Sequence, residues 1–113
     1  MIFEKKIPEI TCQELNAAIL QQDEFFLLDV RNPSEMQYGK IRENQILISL
    51  PELEQRVNEL EDFKNIEIIV YCRSGGRSAR ATEFLQERGF TKARNLVGGI
   101  LAWKKFDPKI IPY

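Results

Sequence analysis

This 113-residue sequence predicts an α/β fold with one parallel β-sheet of about five strands, flanked by helices on both faces. Three observations lead there. Short apolar runs alternate along the chain with amphipathic segments of helical period, and the connections between them are short. Two of the runs, Phe25–Leu28 and Ile66–Tyr71, are nearly continuous in apolar residues, as strands buried on both faces are. Strands alternating with helices over such short connections run parallel with right-handed crossovers. Residues 1–113 are long enough to bury roughly two-thirds of the unfolded surface without disulfides or metals, and too few for a second domain.

Each element has a local reason. Residues 5–10 read as a first strand carrying Ile7 and Ile10, with Pro8 placing it at a sheet edge. Thr11-Cys12-Gln13-Glu14 is a capping box, with Ile10 and Leu15 as its hydrophobic staple. Helix one follows to about Gln22, its inward face formed by Leu15, Ala18, Ile19 and Gln22. The strand Phe25–Leu28 runs into Asp29-Val30-Arg31-Asn32-Pro33, where the two charges are either a solvated strand end or a paired, hydrogen-bonded lock. Ile46–Ile48 is a third short strand. Ser49-Leu50-Pro51-Glu52 repeats the capping-box pattern with proline in the first turn. Leu53, Val57 and Leu60 then form the buried stripe of helix two, and the charges around them are a solvated face. Ile66–Tyr71 stops at Cys72, and a helix carrying Ala81, Phe84 and Leu85 begins after Ser78 and ends at Gly89, with Phe90 just past the cap. Arg94–Val97 is the last strand. Gly98-Gly99 opens a short helix through Trp103, which reads as a core lid, and the proline-containing tail 106–113 is extended.

The chemistry concentrates in Cys72-Arg73-Ser74-Gly75-Gly76-Arg77-Ser78. A strand feeding a helix through a Gly-Gly turn aims backbone N–H groups and the positive end of the helix dipole at what sits in the loop, here a sulfur. Such a place, with nearby guanidinium groups, lowers a thiol pKa from about 8.5 to somewhere between roughly 3.5 and 7.5. The chain has no histidine, which excludes a Cys-His pair, a Ser-His-Asp triad and a His-ligated metal, so activation has to be electrostatic. Arg73 and Arg77 supply the positive charge, and the amides from Ser74 to Ser78 surround the sulfur. Gly75 and Gly76 keep side chains out of the turn. Cys72 is thus expected to be an ionised, reachable nucleophile; Cys12 reads as an incidental half-buried thiol, with a resolving role as its alternative.

Bulk properties bound the rest. A net charge of −1 gives no reason to expect nucleic acid or an anionic membrane as partner. Two cysteines sixty positions apart make no metal or disulfide framework, Met1–Lys6 lacks the apolar core of a signal peptide, and no run spans a membrane. A reducing cytoplasm is the expected compartment, where a free thiol survives.

The segment Cys72–Ala81, followed by Gly89-Phe90 and Gly98-Gly99-Ile100-Leu101-Ala102-Trp103, resembles the active-site half of a single-domain rhodanese, a thiosulfate sulfurtransferase. Leu27–Arg31 with Glu35 and Gly39-Lys40-Ile41 resembles the family's other signature, in which the aspartate and arginine are structural, and so favours the lock for Asp29 and Arg31. Lys40 and Arg42-Glu43-Asn44 depart from the usual Gly-His-Ile and Pro-Gly turn, so the loop after Gly39 is expected to differ in shape. The tail also resembles the ends of rhodanese domains fused to activating enzymes of sulfur-carrier proteins in molybdopterin and thiamine synthesis. The resemblance implies transfer of sulfane sulfur from thiosulfate or another persulfide donor, through a Cys72 persulfide, to a thiol, a sulfur-carrier protein or cyanide, by a monomer with no cofactor and no metal. Arg73 and Arg77 would hold the donor's sulfonate. Two alternatives stand beside it: a phosphatase or arsenate reductase, with Asp29 as its general acid, and a persulfide carrier working between proteins. The loop argues against the first, because Cys72 and Arg77 enclose four residues where the phosphatases it resembles enclose five.

Overall fold

The computed structural model describes residues 6–113. Its five strands, β1 (Glu9–Ile10), β2 (Phe26–Asp29), β3 (Ile46–Leu47), β4 (Ile68–Tyr71) and β5 (Ala93–Leu96), form one sheet in the order β1-β5-β4-β2-β3, every pairing parallel. The first strand is shorter than residues 5–10, because Pro8 has no N–H to pair and contributes only its carbonyl, which accepts from the Asn95 amide at 2.9 Å. Lys5 and the Met1–Lys5 part of the signal-peptide reading lie outside the described residues.

Alternation along β4 sends Ile68, Val70 and Cys72 to one face and Ile69 and Tyr71 to the other. On the first face they pack with Leu28, Leu53, Leu60, Ala81, Leu85 and Phe90, under helices α2 (Leu50–Arg56) and α3 (Gly76–Glu87). On the second they meet Leu15, Leu96, Ile100 and Trp103, under α1 (Cys12–Leu20) and α4 (Gly99–Trp103). Helices cover both faces, which is why β2 and β4 carry apolar residues at successive positions.

The caps explain most boundaries. Thr11 closes the box: its Oγ1 accepts from the Glu14 amide at 3.0 Å, and its own amide donates to Glu14 Oε1 at 2.9 Å. Helix α1 ends at Leu20, and Gln22 takes a left-handed φ of 58° in the exit turn, outside the inward face expected of it. The box at Ser49 does not close. Its hydroxyl donates to the Glu52 carboxylate at 2.8 Å, and the Glu52 amide bonds the Ser49 carbonyl. Helix two changes at Val57 into a 3-10 helix, Val57–Phe63. The tighter period of three stacks Val57, Leu60 and Phe63 on one side, where Phe63 meets the Phe26 ring at 4.4 Å. Helix α3 begins at Gly76, three residues earlier than read, and ends in a full Schellman motif: the Phe90 amide bonds the Leu85 carbonyl and the Gly89 amide that of Gln86.

Strands β2 and β4 lie side by side, and the chain leaves them in opposite directions, toward β3 and β5, opening a crevice at their carboxyl ends. Asp29 and Cys72 sit at those two ends. No helix among the described residues is long and apolar enough to cross a membrane.

The floor of this crevice is unusually close. A Cβ on Gly99 would lie 2.6 Å from the Cys72 carbonyl oxygen and 2.5 Å from that of Arg73, at a φ of +60°. A Cβ on Gly76 would meet nothing within 4 Å. Gly99→Ala is therefore expected to lower unfolding free energy by on the order of 2–4 kcal/mol, whereas Gly76→Ala, at the first residue of α3 with open space for a Cβ, is expected to change it by no more than about 0.5 kcal/mol. Urea unfolding of the two variants beside the parent measures both; equal midpoints would refute the close approach.

Candidate active site

The thiol sits where β4 passes into α3. Its sulfur accepts from the Gly75 amide at 3.1 Å and the Ser78 amide at 3.4 Å, and lies 3.3 Å from the Ser78 hydroxyl. Gly75 makes this geometry: as the residue before α3 it takes φ 115°, a left-handed conformation costly for any side chain, and turns its N–H onto the sulfur. Gly76 has no such need; it is the first residue of α3. The loop is pinned from below, since the Ile100 amide bonds the Cys72 carbonyl at 2.9 Å and the Leu101 amide that of Arg73 at 3.1 Å. The first turn of α4 thus holds the loop that holds the sulfur.

Burial works to raise the Cys72 thiol, but the Ser78 hydroxyl and the amides of Ser78, Gly75 and Ser74 outweigh it and leave the thiol below its ordinary value. Two expectations change here. Cys72 is 1% exposed, not open to a donor, because strand alternation sends its side chain to the α3 face of the sheet. And neither arginine touches the sulfur. Arg77 forms a two-pronged ion pair with Glu35, Nη1 to Oε2 at 2.7 Å and Nη2 to Oε1 at 2.9 Å. The Arg73 guanidinium lies over the Tyr113 ring, 5.0 Å from its centroid. Main-chain amides and one hydroxyl, more than guanidinium charge, set the state of this thiol.

Beside the loop, Asp29 and Arg31 are both fully buried and joined by Nη2 to Oδ2 at 2.7 Å and Nε to Oδ1 at 3.0 Å. Every polar end is used. Gln45 donates to Asp29 Oδ2 at 3.1 Å, and Arg31 reaches the Gly39 carbonyl at 2.9 Å, the Glu35 carbonyl at 3.3 Å and the Tyr113 hydroxyl at 3.2 Å. Of the two readings left open by the sequence, the geometry is that of the lock. Asp29 is thus turned to Arg31 and Gln45, and among the described residues no hydrogen bond links its side chain to the Cys72 loop.

Three participants were not found from the sequence. Glu35 stands on a 3-10 turn, Pro33–Tyr38, and accepts from the Asn32 amide, Arg77 and Tyr113. Tyr113 comes from the tail, which folds back through the Ile111 amide to the Tyr38 carbonyl at 2.9 Å and stacks its ring on Tyr38 at 4.3 Å. Asn95 on β5 bonds the Ser78 hydroxyl. The glutamate was at least legible as part of a motif; the other two had no local signal. After Gly39, Lys40 pairs with Glu43 at 3.1 Å and Arg42 lies over the Phe25 ring at 4.7 Å. Cys12 is buried behind the Gly98-Gly99 turn, its thiol donating weakly to the Val97 and Gly99 carbonyls and raised by burial, which suits the incidental reading.

The chain is similar to known proteins over nearly its whole length. The family profile for the rhodanese-like domain matches residues 11–106. A sulfurtransferase of Allochromatium vinosum is 30% identical over 105 residues, 93% of this chain and 95% of that protein. An adenylyltransferase and sulfurtransferase of Zea mays is 34% identical over 110 residues, 92% of this chain but 23% of that longer protein. A rhodanese-related protein of Thermoplasma volcanium superposes with a TM-score of 0.77 at 33% identity, over 88% of this chain and 93% of the other.

The Glu35 pair has a pH signature. Its hydrogen bonds, those from Arg77 foremost, hold the carboxyl down to about 2 from an ordinary 4.5. A folded-state pKa below the unfolded one contributes stability that is complete above the unfolded value and lost as pH falls through the folded one. The advantage of the parent over Glu35→Gln in unfolding free energy is therefore expected to be full at neutral pH and to fade between pH 4.5 and about 2. Chemical denaturation across that range measures it, and a pH-independent difference would show that the pair does not form.

Proposed function

The chain belongs to the rhodanese-like domain family, and on that premise we propose that it is a sulfurtransferase moving sulfane sulfur from thiosulfate or a persulfide donor to a thiol acceptor through a persulfide on Cys72. The observation that carries this reading is the sulfur held by two amides and a hydroxyl at the start of α3, with its thiol shifted down in spite of burial. The Cys72 thiolate attacks the outer sulfur of thiosulfate, the S–S bond breaks with its electron pair going to sulfite, and Cys72 keeps one added sulfur as an anionic persulfide. An acceptor thiolate, or cyanide in an assay, then attacks that outer sulfur, and Cys72 leaves as thiolate. The amides of Ser74, Gly75 and Ser78 stabilise negative charge in both halves, as an oxyanion hole does for oxygen.

Access requires the mouth of the loop to open, since Cys72 is covered. Arg73, which is exposed, would meet an anionic donor first. Arg77 joins it only by loosening from Glu35. That pairing favours a second reading, a persulfide relay between proteins, where the donor is not a small dianion and Arg77 need not be free. A cytoplasmic monomer without cofactor or metal suits either reading. The phosphatase alternative loses ground, because the proposed acid Asp29 is committed to Arg31 and the loop from Cys72 to Arg77 encloses four residues, not five.

Intact-mass spectrometry after exposure to thiosulfate and desalting is the test. One added sulfur atom is expected, removed by cyanide and absent in Cys72→Ala; phosphate release from a phosphotyrosine analogue without sulfur uptake would overturn the proposal. Arg77→Ala is expected to lower thiosulfate turnover roughly 10–100-fold, the worth of a charge-assisted hydrogen bond, with little change in Arg80→Ala. Equal small effects would remove the donor-binding role of Arg77.

A further inference from the structure

Behind the sulfur lies a buried hydrogen-bond problem that the transfer chemistry leaves unsolved. The Ser78 hydroxyl has one hydrogen and three neighbours that can accept it: Asn95 Oδ1 at 2.5 Å, the Gly75 carbonyl at 3.2 Å and the Cys72 sulfur at 3.3 Å. Ser78 and Asn95 are both buried, so water does not settle the matter. In the arrangement seen, the short contact to Asn95 takes the hydrogen, and the sulfur contact is then one in which the Cys72 thiol donates to Ser78 Oγ. This is the network of the protonated thiol.

Loss of that proton to solvent reverses the requirement. The sulfur can now only accept, and Ser78 turns its hydrogen toward it. Ser78 Oγ and Asn95 Oδ1 are left facing each other at 2.5 Å with no hydrogen between them. A half-turn of the Asn95 amide about its last bond removes the clash by presenting Nδ2 as a donor to Ser78 Oγ. The half-turn gives up the 3.5 Å contact from Nδ2 to the Gly75 carbonyl and turns Oδ1 toward that oxygen, a cost that the new donor to Ser78 Oγ has to exceed; the Gly75 carbonyl keeps the Ala79 amide at 3.0 Å.

We propose that Asn95 is a positioning residue whose side-chain amide reverses when Cys72 ionises, so that Asn95, Ser78 and the sulfur become one chain of donors ending on the thiolate. Asn95 does not touch the sulfur; it acts by deciding which way the Ser78 hydroxyl points. It suits the task because its amide offers a donor and an acceptor of nearly the same shape. β5 brings it there: Asn95 pairs in register with Val70 on β4, two residues before Cys72. The charged and titratable groups around the loop are Arg73, Arg77 on α3, Glu35 on the 3-10 turn, Asp29 and Arg31 at the end of β2, and Tyr113 on the tail. Among the described residues none of these hydrogen-bonds to the side chain of Ser78 or Asn95.

The inference rests on Cys72 as the working thiol, but its test reads the thiol and the amide, not turnover, so either reading can fail alone. In a Cys12→Ala background, the Cys72 midpoint is followed by thiolate ultraviolet absorbance and the Asn95 side-chain amide by nitrogen-15 NMR over the same pH range. The Asn95 NH2 signals are expected to shift with the Cys72 midpoint. Ser78→Ala is expected to raise that midpoint by about one pH unit, the worth of one hydrogen bond to the thiolate, and any shift in Asn95→Leu is expected to need Ser78. The double variant should match Ser78→Ala alone, because Asn95 has no other route to the sulfur. Dispersed amide spectra verify that each variant is folded. Asn95 signals that stay still through the thiol titration, or an Asn95→Leu effect that persists undiminished without Ser78, would overturn the proposal.

Discussion

A buried cysteine sulfur in a chain without histidine is held here by main-chain amides, and much of this molecule follows from that constraint. Two amides are pointed at one atom where a strand stops and a helix starts, and Cys72 stands there, at the end of β4 and before the first turn of α3. The turn needs a residue at positive φ, which is Gly75. It also needs to be held still, and two amides from the first turn of α4 take the carbonyls of Cys72 and Arg73. Gly99 is what lets the two turns meet, since a Cβ there would collide with both carbonyls. Two glycine turns far apart in sequence thus form one unit around a single atom.

The second organising feature is a line of alternating charges and dipoles along the mouth of the crevice: Asp29 to Arg31, Arg31 to the Tyr113 hydroxyl, Tyr113 to Glu35 and Glu35 to Arg77. Each member has its partner, so one of the two arginines expected to charge the loop, Arg77, is neutralised by Glu35. Arg73 is exposed and lies over the Tyr113 ring. The tail matters here, because Tyr113 touches Arg31, Glu35 and Arg73 together.

The order of elements, the cap at Thr11, the Schellman end at Gly89 and the strand-loop-helix around Cys72 were all legible, because each is written in neighbouring residues whose local preference agrees with the final fold. The failures are instructive for the same reason. Helix two slips to a 3-10 helix because Val57, Leu60 and Phe63 share a period of three as easily as a longer one, and contact with Phe26 chooses between them. Ser49 matches the box pattern, yet its hydroxyl finds the Glu52 carboxylate before the amide. Arg77 looks like a free cation in the loop until Glu35, forty-two residues away, is folded against it.

Sequence alone determined that a cysteine would sit at a strand end under a glycine turn, in an α/β domain without histidine, since turn chemistry and hydrophobic period act over a few residues. Tertiary structure alone decided that the sulfur would be covered, that Ser78 would answer to Asn95, and that the tail tyrosine would close the charge line. Those are contacts between segments set by strand order and by which face each side chain takes, and nothing in the local chain encodes which distant partner completes a hydrogen bond.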